Sequence, residues 1–280
     1  YGLLVVRQLT PGRIVRFVLS CLLLAGFGGL SGRAEDIRFP DDAGVIDVTK
    51  APYFAKGDGI TDDTLAIQQA LIEHPNQNRI IYLPNGTYLL SSPLKWPVGT
   101  NEESSFRATI LQGQSRTGAV LRLADFSPAF TGSSRDAFVL WMGESPASRE
   151  RNLSIHTGTG NTVASGIAFM ANRQGSVRDV TITAGGKGEG VAGIDIGHCD
   201  AIGPALIQNV LIEGFDYGIK AAFPQYSVTL EHVGIHNQRV AAIRNSGQTL
   251  TIRDFRSTNA VPAILSRDPT SFITLLDANL

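Results

Sequence analysis

Ionisable side chains cluster between residues 189 and 200, and this is the part of the sequence best equipped for acid and base chemistry. Asp195, His198 and Asp200 follow one another closely, and Glu189 precedes them in a glycine-rich stretch. Glycoside hydrolysis needs two carboxylates that flank the scissile bond, whereas lyase chemistry needs a base with cations nearby. We therefore select Asp195, Asp200 and Glu189 as candidate catalytic residues and His198 as a candidate substrate-binding residue. We expect Asp195, His198 and Asp200 to line an exposed groove with Glu189 nearby.

The residue after each Gly-Ile or Ala-Ile pair in the second half of the chain occupies one repeated slot. Asp195 fills this slot in one repeat, and Lys220 and Arg244 fill it in the next two. If the repeats stack, these three side chains share a column on the outer face, where Lys220 and Arg244 would bind an acidic sugar. The alternative interpretation of the same column is a solvated salt-bridge ladder.

A third candidate group combines a carboxylate with two aromatic rings. Asp216 and Tyr217 follow Phe215 directly, and such residues are the usual materials of a surface that stacks on sugar rings. We assign Asp216 and Tyr217 to substrate binding. Packing of the rings in the core or at an edge is the alternative.

Two short patterns recur after residue 150, and they predict the elements that must position these side chains. Aligned segments repeat every 22 to 30 residues, and an apolar residue stands at the third position of each: Leu153, Val180, Val210, Val233 and Phe255. A Gly-Ile or Ala-Ile pair lies between successive segments. Repeats of this length with short β-type runs predict an all-β solenoid, a right-handed parallel β-helix whose coils stack about 4.8 Å apart.

Two further columns follow from the same alignment. The fifth positions predict an interior stack formed by Ile155, Ile182, Ile212 and Ile235. The second positions are polar: Asn152, Asp179, Asn209, His232 and Asp254. Because this polar position lies between two apolar columns, we expect the chain to bend there, with the side chains satisfying backbone groups of neighbouring coils.

A helix is predicted near residues 62–73, where it would cap the N-terminal end of the β-helix. Thr61, Asp62 and Asp63 supply an N-cap and negative charge, and a broad apolar stripe follows them. The aspartates of this segment also suggest a metal site. They lack the spacing of a calcium loop, so we predict no metal here and assign them to the helix cap.

Residues 1–34 are expected to be a signal peptide, with the mature domain spanning residues 35–280. Three arginines precede an apolar run at 17–30, and small residues end at Ala34. This predicts a secreted, periplasmic or cell-surface protein with no stable membrane insertion after cleavage, and an uncleaved anchor is the alternative. The net charge of −1 without a basic block argues against nucleic acid as a partner.

One segment resembles a known family. Residues 55–64 read AKGDGITDDT, and Tyr82-Leu83-Pro84-Asn85-Gly86-Thr87-Tyr88 follows them. These motifs resemble the entry and first coil of the pectate-lyase-like superfamily, which includes rhamnogalacturonase- and epimerase-like proteins. The repeats at 166–264 most resemble the N-terminal β-helix of family-55 glycoside hydrolases, which cleave β-1,3-glucan. Family members often have glycine where this chain has Phe54.

The resemblance implies a protein that acts on polysaccharide or oligosaccharide. The resemblance first implies that this chain is the N-terminal half of a β-1,3-glucanase-like glycoside hydrolase. In such enzymes the general acid lies in a second β-helix. A polysaccharide lyase or epimerase and a non-catalytic carbohydrate-binding β-helix are the alternatives, and Ca²⁺ is implied as a cofactor only for a lyase. The chain starts at Tyr1 and stops at Leu280 within an apolar pattern. We therefore expect a C-terminally truncated domain with little turnover of its own.

Overall fold

Alternating apolar residues give each repeat short strands that pair in parallel with strands of the coils before and after it. In the computed structural model of the chain, these strands form a right-handed parallel β-helix, which confirms the predicted fold. The structure describes residues 37–75, 77–96, 108–132, 137–142, 149–170, 175–198, 203–223 and 227–280. The predicted signal peptide at 1–34 lies outside these ranges.

The larger sheet has twelve strands. Its strands are β1 Val45–Asp47, β2 Asp58–Asp62, β3 Arg79–Leu83, β4 Gly86–Leu90, β6 Thr109–Gly113, β7 Ala119–Leu123, β9 Arg149–His156, β11 Gly175–Thr183, β13 Ala205–Glu213, β15 Ser227–His236, β17 Thr249–Thr258 and β19 Phe272–Asn279.

The smaller sheet has seven strands. They are β5 Leu94–Lys95, β8 Ala137–Trp141, β10 Ala164–Ala168, β12 Ala192–Asp195, β14 Tyr217–Ala222, β16 Ala241–Ser246 and β18 Ile264–Ser266. Within the described ranges, an α-helix, α1, spans Thr64–Glu73, and a short 3-10 helix spans Pro128–Phe130. In the described residues, no helix has the length and apolar character needed to cross a membrane.

The predicted interior columns are confirmed by the register of β9 to β17. Val180 pairs with Leu153 and Val210, and Val210 pairs with Val233, all of them buried. The isoleucine column from Ile155 to Ile235 is equally buried. Burial of this aliphatic surface is the main favourable term for the fold, since the described strands bury their apolar sides against each other.

The backbone conformation explains why the second position of each repeat is polar. Each of its members adopts a left-handed conformation, with φ between 48° and 59°: Asn152, Asp179, Asn209, His232 and Asp254. Asn, Asp and His tolerate this region better than other residues that have a Cβ. We call these residues the left-handed column, and they confirm the predicted bend.

The side chains of the left-handed column bond mostly to one another. Asn209 Nδ2 donates to Asp179 Oδ1 at 2.6 Å, and His232 Nδ1 lies 2.6 Å from Asp254 Oδ2. Asn152 instead donates to the carbonyls of Gly113 and Gln114 on the preceding coil. The expected contact with backbone groups is therefore found at Asn152, while the other pairs form a side-chain ladder.

Helix α1 covers the free edge of the smaller sheet, which confirms the predicted cap. Gln68 Nε2 donates to the Lys95 carbonyl at 2.8 Å, and the Lys95 amide donates to Gln68 Oε1 at 2.7 Å. One side-chain amide thus replaces the strand that β5 lacks on that side. Ile67, Ala70 and Leu71 of the helix are buried in the core.

The aspartates before α1 fix the entry to the helix, but the predicted N-cap is only partly correct. Asp63 occupies the N-cap position without a side-chain capping bond, because its carboxylate accepts from the amides of Lys56 and Gly57. Asp62 accepts from the Thr64 amide and from the Ser91 hydroxyl instead. Asp58 closes its own turn by accepting from the amides of Ile60 and Thr61.

The recurring glycines allow the two sheets to approach each other. A Cβ at Gly166, Gly193 or Gly218 would lie 2.3–2.6 Å from Cγ2 of the isoleucine that faces it, which is Ile182, Ile212 or Ile235. One coil further along, Ala242 takes the glycine position, and Ser257 takes the isoleucine position in register with Ile235. Small and large residues therefore alternate across the interior.

We predict that Gly193→Ala destabilises the β-helix by about 1–3 kcal/mol, because the added methyl group overpacks the interior. The new Cβ would lie 2.4 Å from Ile212 Cγ2 and 2.9 Å from the Gly218 carbonyl oxygen. Chemical denaturation measures the loss. Gly132→Ala is the matched control, since no atom lies within 4 Å of its Cβ position. An equal loss in both variants would contradict this packing.

Candidate functional site

The repeated slot that contains Asp195 forms a continuous column on the outward side of the smaller sheet. The register pairs Ala168 with Asp195, Asp195 with Lys220, and Lys220 with Arg244, as predicted from the sequence. The column extends two strands further, to Trp141 and Lys95, and ends at Leu265. We call this set of residues the outer column.

Asp195 is the buried centre of the outer column. Only 3% of its surface is exposed, and its carboxylate accepts from Lys220 Nζ and from the amide of Gly197. The prediction of an exposed groove is therefore wrong for Asp195. The ion pair with Lys220 explains the burial, because a carboxylate leaves water only when a cation or N–H groups replace its hydration.

Trp141 supplies an aromatic ring to the outer column. Lys95 Nζ lies 4.7 Å from the centre of its ring, and the His198 ring contacts its edge at a centroid distance of 5.9 Å. His198 also packs edge-to-face on Phe138 at 4.8 Å. The structure thus places His198, a predicted binding residue, beside an indole ring that the sequence analysis did not select.

The structure does not gather the predicted catalytic residues at one point. Glu189 lies before the start of β12, in a turn closed by a bridge to Gly185, whereas His198 lies beyond the other end of that strand. Asp200 falls outside the described residues. The surface insertion that holds Glu189 is present, with Gly186 and Lys187 exposed.

The predicted group at 215–217 divides between core and surface. Phe215 is fully buried, so for this ring the packing alternative is correct. Asp216 pairs with Arg239 at 2.9 Å, and Arg239 also donates to the Gly190 carbonyl. The Tyr217 ring is partly exposed, and the Arg244 guanidinium lies over it at 5.6 Å. Tyr217 and Arg244 therefore lie together at one end of the outer column.

A second acid lies inside the β-helix, where the sequence analysis did not predict one. Glu150 shares an interior column with Leu111 before it and Val177 after it, and it is fully buried. Neither carboxylate oxygen has a hydrogen-bond partner among the described residues. Burial raises the pKa of Glu150 well above its ordinary value, which favours the protonated, neutral form of the side chain.

The described ranges contain no group of three or more His, Cys, Asp or Glu side chains that could hold a metal ion. Asp58, Asp62 and Asp63 are each bonded to backbone amides or hydroxyls of their own segment.

Comparison with known proteins agrees with this fold. A sequence model described as "Rhamnogalacturonase A/epimerase, pectate lyase-like" matches residues 48–264. A glucan 1,3-beta-glucosidase of Cochliobolus carbonum is 31% identical over 64 residues, which are 23% of this chain and 8% of that protein. The match at 48–264 spans the outer column from Lys95 to Arg244.

Solved structures share the architecture at low sequence identity. The pre-mature bacteriophage phi29 gene product 12 aligns with a TM-score of 0.57 at 18% identity, over 95% of this chain and 34% of that chain. The catalytic unit of a thermostable GH87 alpha-1,3-glucanase from Streptomyces thermodiastaticus strain HF3-3 aligns with a TM-score of 0.51 at 13% identity, over 83% and 44%. This chain spans less than half of each, and the likeness shows the fold alone.

We predict that Glu150→Leu stabilises the protein at neutral pH and changes its pH dependence. The folded state holds the Glu150 proton more tightly than the unfolded state. Stability is therefore greatest below the unfolded pKa and falls as the pH rises towards the folded pKa. Leucine cannot ionise, so the free energy of unfolding should no longer decrease as the pH rises. Because leucine also removes a buried acid that has no hydrogen-bond partner, we expect the free energy of unfolding to increase by about 1–3 kcal/mol.

Urea denaturation between pH 4 and pH 8 measures the effect of Glu150→Leu, with pH values chosen to span the ordinary range of a carboxyl group. Glu213→Gln is the control, because Glu213 is an exposed acid on the same sheet and its removal should leave the slope unchanged. Parallel curves for wild type and Glu150→Leu would show that Glu150 is not a buried neutral acid.

Proposed function

Because the chain belongs to the rhamnogalacturonase A/epimerase, pectate lyase-like family, we propose that it is the polysaccharide-binding β-helix of a secreted carbohydrate-active protein. The observation that carries this proposal is the outer column, in which an indole ring and cationic side chains follow one another along a rigid sheet. Polysaccharide or oligosaccharide is the partner, and the predicted leader at 1–34 supports secretion to the periplasm, cell surface or medium.

The dimensions of the outer column suit a linear sugar chain. Lys95 and Arg244 are five strand spacings apart, or about 24 Å, which is long enough for several sugar rings. Trp141 presents a large ring near one end, and Tyr217 with Arg244 presents a second near the other. Aromatic rings supply apolar contact area for sugars at low entropic cost, while the cations donate to hydroxyl or carboxylate oxygens.

Lys95 rests on the Trp141 ring, and a sugar would have to displace it. Lys95 is exposed, and a cation–π contact at an exposed site stabilises by about 0.5–1 kcal/mol. A sugar ring stacked on the indole that contributes a tenfold increase in affinity is worth about 1.4 kcal/mol. Because this exceeds the free energy of the cation–π contact, displacement of Lys95 by the sugar is favourable. The freed ammonium group would remain beside the chain as a donor.

For the whole protein, the activity we favour is a glycoside hydrolase of the β-1,3-glucanase type. The likeness of one segment to a glucan 1,3-beta-glucosidase supports it. Asp195 is badly placed for a general acid, because it is buried and its carboxylate already accepts from Lys220 Nζ and the Gly197 amide. Within this domain the outer column therefore supports binding more strongly than hydrolysis.

A lyase or epimerase that acts on an acidic polysaccharide is the second candidate. Lys220 and Arg244 lie side by side in the outer column, where they would bind carboxylates of uronic acids. The family description also includes an epimerase. Release of an unsaturated product, or inversion at C5 without cleavage, would favour this candidate over the hydrolase.

We predict that Trp141→Ala weakens binding of a β-1,3-glucan hexasaccharide by about tenfold, the loss of one stacked aromatic contact. Isothermal titration calorimetry measures the affinity. Phe272→Ala is the control, since Phe272 is exposed on the larger sheet, outside the outer column. Unchanged affinity in Trp141→Ala, with a wild type that binds, would place the glucan elsewhere.

We also predict that the 280-residue chain itself shows little or no turnover of β-1,3-glucan or pectic polysaccharide. The reason is that Asp195 is buried against Lys220 and Asp216 is paired with Arg239, so neither carboxyl group is free to contact a glycosidic oxygen. A reducing-sugar assay with both substrates is the test. Robust cleavage that Asp195→Asn abolishes would contradict the assignment of this domain to binding.

A further inference from the structure

Three arginines line a groove on the outward face of the larger sheet, away from the outer column. The groove has a volume of about 460 Å³, and its walls are formed by Arg149, Arg151, Gly175, Ser176, Arg178, Pro204, Ala205 and Leu206. We call it the arginine groove. Arg151 and Arg178 are exposed and Arg149 is half-buried, so all three guanidinium groups can reach solvent.

The arginine groove has an excess of positive charge at close range. Among the described residues that line it, none has a carboxylate. Arg151 Nε donates to the neutral Gln112 side chain at 2.8 Å. The nearest acid in the same row is Glu231, which lies beyond Gln208 and already accepts from Gln208 Nε2 at 2.7 Å.

Several other cations on this β-helix have acidic partners. Arg122 pairs with Asp125, Lys220 with Asp195, Arg239 with Asp216, and Arg253 with Glu231. The arginines of the groove have no such ion pair among the described residues. Gathering three guanidinium groups without an anion is unfavourable, and a bound anion would relieve the repulsion.

The strand register fixes the spacing of the three charges. Arg149 and Arg151 are two residues apart on β9, so their Cα atoms are separated by about 6.6 Å. Arg151 and Arg178 are paired on neighbouring strands, about 4.8 Å apart. This spacing suits several separate anionic groups better than one ion, and guanidinium groups bind carboxylates with two parallel hydrogen bonds.

We infer that the arginine groove is an accessory binding site for an acidic glycan chain, separate from the outer column, with carboxylate-bearing sugars as its ligands. The groove lining has no aromatic ring on which nucleic acid bases would stack, and the whole chain has a net charge of −1. Strands β9, β11 and β13 are paired on both sides, so a peptide cannot join the sheet there as a further strand.

The test compares a linear hexasaccharide of uronic acids with the same hexasaccharide after methyl esterification of its carboxylates. Calorimetry should show that wild type binds only the free acid, with an affinity that falls as salt is added. The double variant Arg149→Gln/Arg178→Gln should bind the acid at least about tenfold more weakly, the loss of charge-assisted hydrogen bonds. Arg256→Gln is the matched control, because Arg256 is exposed on the same sheet outside the groove.

The outcomes separate this site from the outer column. Trp141→Ala should leave unchanged the acid affinity that the double variant loses, so each site can be measured when the other fails. A circular dichroism melt checks that the double variant is folded. Equal binding of acid and ester, unchanged affinity in the double variant, or tighter binding of a polyglutamate peptide than of the uronate would each overturn the inference.

Discussion

One left-handed residue in each coil is the constraint on which the rest of the structure depends. In a regular strand, residues two apart share a face. In β11, however, Val177 and Val180 are three apart and both are buried, because the left-handed Asp179 turns the chain between them. The strand therefore bends around the core with apolar residues inside on both arms. Repetition of this turn in successive coils aligns the columns and closes the β-helix on that side.

The outward faces follow from this alignment, and they differ in character. On the smaller sheet, the slot after each Gly-Ile pair faces outward and carries the outer column, in which Asp195 and Lys220 form an ion pair. On the larger sheet, the residues just before the left-handed turn face outward, and two of them are Arg151 and Arg178. The same stacking of coils therefore gives one column that combines aromatic rings with an ion pair, and one groove lined by arginines. The backbone beneath both is rigid, as binding sites require.

Much of this architecture is readable from the sequence, because stacking makes a local pattern recur. The Leu153-to-Phe255 alignment, the Ile155 column and the order Asp195, Lys220, Arg244 all depend on period alone, and the register confirms them. The sequence pattern predicts a bend at the polar column, but it does not predict that these residues adopt a left-handed backbone conformation. Phe54 has a φ of 55°, a left-handed value that suits the glycine expected at this position from the resemblance.

What the sequence could not reveal concerns burial and departures from the repeat. Trp141 escapes the pattern because its strand reads Ala137-Phe138-Val139-Leu140, without the Gly-Ile pair that marks the later coils. Glu150 stands between two arginines and looks like a surface charge, yet the register places it in the interior. The burial of Asp195 likewise depends on Lys220, which is distant in sequence and adjacent only after the coils have stacked.

The central claim is that the outward face of the smaller sheet holds the polysaccharide. A crystal structure of the protein soaked with a β-1,3-glucan hexasaccharide tests it most directly. Sugar density is expected along the outer column, with one ring stacked on Trp141 in place of Lys95 and others extending past Lys220 towards Tyr217. Well-ordered sugar bound at another surface, with Lys95 still resting on the Trp141 ring, would contradict it.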